Sequence, residues 1–315
     1  DDFLKEEKKR VRPYPQAGFI VEETFRQKRH HLNLLKKFYK DINQKIEKLD
    51  WQRLYEYPTW RSTTVCNLKN PIAIKPPKLN QTIDAELVTI RAYFDFLYKK
   101  GYTGRKAEFK KVIRESRKDT RRDHLSSTQY TQVRNTLRSW SNSINATPSQ
   151  TYNRKILYYS ILIMVNSCMR KGTLRNLEWR DLEVADNLTK QEQKTGHLIR
   201  IRQETNKRGK KRTIQSPTVE YFNRIRELSG IPKVPKSKFP HVPPEYLNKP
   251  IIKKHNKDER MGDGTWDREW INIRKLCKKY WGSKNITWYS FRHTGISLGV
   301  NNGIPLIQLS NYAGT

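Results

Sequence analysis

One run of ten residues, Ile156 to Val165 (ILYYSILIMV), is the longest apolar stretch of this chain, held between Lys155 and Arg170. It falls well short of the ~18 apolar residues that a membrane span needs, so the chain is read as having no membrane segment. A run this apolar leaves no polar face, and it is expected as a helix buried at the centre of a domain. Whatever the second half of the chain builds has to enclose it.

The surroundings of that run are strongly basic. The 315 residues hold 64 Lys+Arg against 31 Asp+Glu, a formal charge of +33. Such an excess repels itself in a compact state unless a polyanion neutralises it. Nucleic acid is the obvious partner, because each phosphate contacted releases condensed counterions. Eight Trp, 16 Tyr and 10 Phe are too many aromatics for a disordered polyelectrolyte. The length suggests two domains at about 100–200 residues each. Cys66, Cys168 and Cys277 are odd in number and far apart, which argues against a disulfide scaffold or a cysteine zinc module. With no initial Met and no signal-peptide pattern, the chain reads as an intracellular fragment. Charge alone separates neither DNA from RNA nor a binder from an enzyme.

Residues 1–20 are basic, contain Pro13 and Pro15, and read as an extended arm. Residues 22–39 are expected as a helix, with Phe25, Leu32, Leu35 and Tyr39 on one face and Arg26, Arg29 and Lys36 free to meet phosphate. Three prolines make 67–80 a loop. After it, Ile83, Leu87, Ile90, Phe94 and Leu97 form a helical stripe that Gly101 ends. These segments define a helical domain over 21–118, bounded by the charged stretch 114–123, with a second domain over 119–315. There, 126–141 and 151–166 read as helices. Residues 197–203 and 212–215 read as strands of a hairpin around the turn 206–210. Ser216-Pro217 reads as a helix start, 231–250 as a Pro-rich loop, and helices resume near Trp266 and after Tyr289. The fold class is mainly α with a small antiparallel sheet.

Three cations stand apart from the general excess. Arg170 follows the apolar helix, Lys207 lies in the hairpin turn, and Arg292 lies early in a helix, whose free N–H groups also favour an anion. Taken singly, each reads as one more solvated side chain. Converging, two arginines and a lysine make a phosphate clamp: guanidinium groups grip two oxygens at once, while lysine can give up a proton. The seven histidines form no ligand pair with carboxylates at zinc spacing, so no metal is expected, and there is no Gly-rich phosphate loop.

The motifs around these residues resemble those of the tyrosine recombinase, or phage integrase, family. Residues 167–182 match its first arginine box at Met169, Arg170, Asn176, Leu177, Trp179 and Asp181. Lys207-Arg208-Gly209-Lys210-Lys211-Arg212 is similar to its hairpin lysine turn, Tyr289 to Thr294 to its second arginine box, and Gly303 to Thr315 to the segment after it. The resemblance spans about residues 20–315, in the family's order. It implies a helical core-binding domain followed by a catalytic domain, and cleavage and rejoining of DNA through a 3′-phosphotyrosyl link that needs no cofactor. Arg170 and Arg292 would stabilise charge on the scissile phosphate. Lys207 would protonate the leaving 5′-oxygen. Tyr289 and Thr315 would hydrogen-bond around the phosphate, with His293 and Asp181 supporting them. Lys210 and Arg212 are assigned to DNA contact alongside Arg26, Arg29 and Lys36. The implied partners are double-stranded DNA and three further copies, giving a tetramer on two sites and a dimer or monomer off DNA. The implied setting is the DNA-associated cytoplasm of a bacterial host carrying a mobile element.

Two departures qualify that expectation. The first box usually has an acidic residue where this chain has Thr173, a role Asp181 could take over. The nucleophilic tyrosine is expected about two to three helical turns beyond Thr315; Tyr312 falls on the wrong side of the Gly-Thr element. The fragment is therefore expected to clamp DNA without forming a covalent bond. A DNA-binding regulator that kept the fold and lost the chemistry is the alternative, and a basic RNA-binding protein would account for the charge but not the motifs.

Overall fold

The structure is a computed structural model that describes residues 2–13, 16, 18–41, 51–63, 80–103, 123–183, 197–203, 211–234 and 240–313. The chain divides into two compact units, Asp1–Arg121 and Arg122–Thr315.

The first unit is helical. Helix α1 spans Asp2–Lys9, and the two-residue strands β1 (Val11–Arg12) and β2 (Ile20–Val21) pair in parallel. Helix α2 (Glu22–Asp41) follows, then a 3-10 turn at Trp51–Glu56, α3 (Tyr57–Thr63) and α4 (Asn80–Lys99). The expected stripes form its core: Leu32, Leu35 and Tyr39 of α2 pack with Ile83, Leu87, Ile90 and Phe94 of α4. Arg26, Arg29 and Lys36 lie exposed on the opposite side of α2. One buried ion pair is placed in this core, Arg61 Nε to Glu86 at 3.0 Å, and Tyr57 Oη donates to the same carboxylate at 2.8 Å. The first residues differ from the extended arm expected of them. Phe3 is buried edge-on against Tyr93 and Phe96, and Glu7 accepts from Lys28 and Arg10. These contacts stabilise a helix that a short, mostly charged segment does not announce.

The second unit wraps the apolar run as anticipated. Helix α5 (Ser127–Ser141) and helix α6 (Pro148–Ser167) each open on a capping box, Ser126 with Gln129 and Thr147 with Gln150, and α6 also has Pro at its start. Every residue from Ile161 to Val165 is buried. Then come α7 (Lys171–Arg175), β3 (Leu182–Glu183), β4 (His197–Ile201), β5 (Arg212–Ser216), α8 (Val219–Leu228), α9 (Asp263–Trp281), α10 (Trp288–Asn301) and α11 (Leu306–Ala313). The sheet is antiparallel in the order β3-β4-β5, with Ile199 opposite Ile214 and Ile201 opposite Arg212. Strand β3 is only two residues long, too short to carry an alternating pattern. Helix α8 starts later than Ser216-Pro217 implies, because Ser216 is held in the ladder opposite His197 and the first turn opens after Thr218. Part of the Pro-rich loop is stitched to the segment after α7: Arg180 N donates to Leu247 O at 2.8 Å and Ile251 N to Leu177 O at 3.1 Å. Among the described residues no helix is long and apolar enough to cross a membrane.

His197 is fully buried at the start of β4, and burial pushes its pKa down to about 3. The folded chain therefore keeps it neutral while the unfolded chain takes up a proton below about 6.5. Its contribution is complete above that pH and is lost as pH falls toward the folded value. Equilibrium denaturation between pH 6.5 and 5 should show stability dropping with a slope approaching about 1.4 kcal/mol per pH unit from this group. His197→Gln should remove that component; an unchanged slope in the variant contradicts the assignment.

Candidate active site

The site begins where the buried helix ends. Cys168 caps α6 in the left-handed conformation (φ 52°), which turns the chain back so that Arg170 can precede α7 in extended geometry. Arg170 is half-buried, and its Nη1 is buried without a hydrogen-bond partner. Cys168 is itself unreactive: burial raises its thiol pKa to about 11.

Arg292 approaches from α10. That helix starts at Thr287, whose backbone N–H donates to Ser290 Oγ, and it crosses α6 at backbone contact. A Cβ on Gly295 would lie 2.9 Å from the Val165 carbonyl carbon and closer still to its oxygen. One turn back along α10 and one turn forward along α6, Arg292 Nη1 donates to Cys168 O at 2.7 Å. Its Nη2 donates to Ala313 O at 2.6 Å, tying in the end of α11. Arg292 is only 1% exposed, and its Nε has no partner. Its guanidinium carbon lies 5.6 Å from the Tyr289 ring centroid. Burial, then the nearby Arg170 charge, lower its pKa, with Tyr289 and Cys168 opposing; a guanidinium nonetheless stays protonated.

The cations next door are neutralised, and these two are not. Lys171 Nζ reaches Asp263 at 3.1 Å, and Arg175 pairs with the same carboxylate while donating to Met261 O. Arg202 lies between Glu178 (3.1 Å) and Asp181 (2.9 Å). No ion pair to a carboxylate is present at Arg170, Arg212 or Arg292 among the described residues. The three instead act on one another: burial first, then Arg292 and Arg170, lower the Arg212 pKa to about 10. Like charges gathered without a counter-charge make an anion site.

No protein-family model matches the chain, and no curated protein matches it in sequence. Solved structures do match over nearly its whole length. It is similar to the Tn1549 transposon integrase (residues 82–397) in complex with circular intermediate DNA, at 14% identity and TM-score 0.60, over 99% of this chain and 91% of that one. It is similar to the XerH site-specific recombinase bound to its difH substrate, at 11% identity and TM-score 0.59, over 99% and 87%. A lambda integrase tetramer bound to a Holliday junction matches at 12% identity and TM-score 0.55, over 99% and 76%. The chain has the tyrosine-recombinase fold.

Within the tyrosine-recombinase fold, the two box arginines come together from opposite ends of the second unit's sequence. Tyr289 and His293 share one face of α10, with ring centroids 4.9 Å apart. Asp181 is buried, accepts from the Glu178 backbone N–H at 2.8 Å and pairs with Arg202, so its carboxylate braces the turn after α7. Thr173 is also buried. Lys207, Lys210 and Thr315 lie outside the described residues, as does the Tyr312 side chain. Among the described residues no group of three His, Cys, Asp or Glu is placed to hold a metal. Sequence reasoning assigned Arg212 to DNA contact but missed its place beside the box arginines. The signal was there: strand alternation puts Arg212 on the same face as Ile214 and Ser216, both buried.

Proposed function

We propose that this protein is a site-specific DNA recombinase of the tyrosine type, an integrase of a mobile element. It cuts and rejoins DNA through a 3′-phosphotyrosyl intermediate. The observation that carries this reading is the Arg170–Arg292 pair: neighbouring, partly or fully buried, each with an unfilled nitrogen, and neither neutralised by a described carboxylate. Both would donate to the non-bridging oxygens of the scissile phosphate and stabilise the charge that builds as the nucleophile attacks. In this reading Lys207 protonates the leaving 5′-oxygen, Tyr289 and Thr315 hydrogen-bond around the phosphate, and His293 and Asp181 position the elements that carry them. The nucleophile of such a reaction is a tyrosine. Four copies act on two duplexes, as the lambda integrase tetramer on a Holliday junction suggests. The setting is the DNA of a bacterial cytoplasm.

The test is covalent capture. A duplex selected by the protein from a random pool, end-labelled and incubated with the full-length protein, should yield label that stays with the protein on a denaturing gel. Binding without any adduct, from chain that also lacks strand exchange, would favour the silent regulator. The buried Thr173, standing where an acid is usual, is what keeps that second reading in play.

The exposed face of α2 gives a separate expectation. Arg26, Arg29 and Lys36 are assigned to phosphate contact, so replacing all three with Gln should weaken duplex binding at every sequence alike. It should also reduce the slope of log K against log salt by about 3. Fluorescence anisotropy over a salt series measures this; an unchanged slope removes α2 from the interface.

A further inference from the structure

Among the described residues, Arg212 is the cation with all three side-chain nitrogens buried and none of them partnered. We propose that it is a third guanidinium of the phosphate site, binding the scissile phosphodiester together with Arg170 and Arg292 rather than touching DNA backbone elsewhere. This rests on the recombinase reading above and names a further residue of the same site.

Three observations support it. Position comes first. Arg212 opens β5, paired with the buried Ile201, and β5 packs against both α6 and α11. Those are the two helices whose ends supply the carbonyls, Cys168 O and Ala313 O, that hold Arg292. Strand alternation therefore turns the Arg212 side chain toward the place where the two box arginines meet.

The second observation is its hydrogen bonding. All three guanidinium nitrogens of Arg212 are buried, and none has a partner among the described residues. Leaving a buried donor unfilled costs about 1–3 kcal/mol, more when it is charged. Its neighbours are paired: Arg200 of β4, which is exposed, with Glu183, and the half-buried Arg202 just after β4 with Glu178 and Asp181. A buried, unfilled fork beside two other arginines is a standing cost that a bound anion removes.

The third observation concerns donor supply. Both terminal nitrogens of Arg292 already donate to carbonyls, which fixes its orientation but leaves Nε as its one unbonded nitrogen. A phosphodiester carries two non-bridging oxygens, and each gains charge as a fifth oxygen approaches phosphorus. Arg212, with every nitrogen unengaged among the described residues, adds five N–H donors to the three that Arg292 keeps, and its planar fork can bridge two oxygens.

The test needs no target sequence. Sodium tungstate, a tetrahedral dianion, is titrated calorimetrically into the 315-residue chain at low salt and located by its anomalous scattering. Wild type should bind tungstate between Arg170, Arg212 and Arg292. Arg212→Gln should weaken that site at least 10-fold, Arg212→Lys should recover part of the loss, and Lys257→Gln, at an exposed lysine of the same unit, should change nothing. Without tungstate, Arg212→Gln should melt no lower than wild type, because the change removes an unpaired buried charge. Tungstate affinity within twofold of wild type in Arg212→Gln, with Arg170→Gln at least 10-fold weaker, would remove Arg212 from the site and leave the recombinase reading standing. A marked fall in melting temperature of anion-free Arg212→Gln would make the residue structural and likewise overturn the proposal. No tungsten between the arginines, with affinity indifferent to both variants, would sink both.

Discussion

In the full-length protein, on the recombinase reading proposed above, Arg170→Ala lowers the rate of protein–DNA adduct formation by at least about 10²–10³-fold, the usual cost of losing one donor aimed at a developing oxyanion. Duplex binding stays within a few-fold of wild type, because the +33 excess spreads bulk affinity over many cations. The effect is this selective because Arg170 has no structural duty to lose. It makes no ion pair among the described residues, and its Nη1 is unfilled, whereas its neighbours Lys171 and Arg175 both hold Asp263. Arg292→Ala should lose adduct formation to at least the same degree but is the less clean variant. It also strips the Cys168 and Ala313 carbonyls of their donors and opens a cavity in a fully buried position. Single-turnover kinetics beside anisotropy separates the two effects. Parallel loss of binding and adduct in Arg170→Ala would make the residue a general DNA contact.

Gly295→Ala destabilises the second unit by about 3 kcal/mol or more, the upper range for overpacking, because the added methyl meets backbone and not a movable side chain. The Val165 carbonyl belongs to the most buried stretch of α6, so neither helix can yield without repacking the core. The consequence reaches the site through register: the Gly295–Val165 crossing lies one turn from the Arg292–Cys168 hydrogen bond on both helices. Prising the helices apart draws Arg292 away from its carbonyl anchor and from Arg170. Gly264→Ala is the control. It is exposed on α9 with open space around it, and gains up to about 1 kcal/mol of helix propensity. Urea denaturation of both variants gives the comparison; equal stabilities would mean that α6 and α10 do not cross at backbone contact.

The apolar run, the two stripes of the first unit and the β4–β5 hairpin were all legible in the sequence, because each depends on periodicity within one segment. Arg170 and Arg292 were legible as candidates through their motifs, and the resemblance implied their meeting, but how the chain achieves it was not legible. It depends on a left-handed Cys168 and on a glycine crossing that local pattern does not encode. Helix α1 escaped notice for a related reason: Phe3 and Glu7 are held by partners on α2 and α4, remote in sequence. The two-residue β3 was invisible because two residues have no period. In the sequence Arg212 does not stand out, because it closes a run of basic residues broken only by Gly209. Only the strand alternation with Ile214 and Ser216 sets it apart, and that signal becomes decisive once the burial of that face is known.

The most direct measurement is a crystal structure of the chain on a duplex bearing its selected site. One backbone phosphate should lie within about 3 Å of donor nitrogens from both Arg170 and Arg292, with Lys207 Nζ turned to the 5′-oxygen of the same group. Duplex lying across other surfaces, with those two guanidinium groups facing no phosphate, would contradict it.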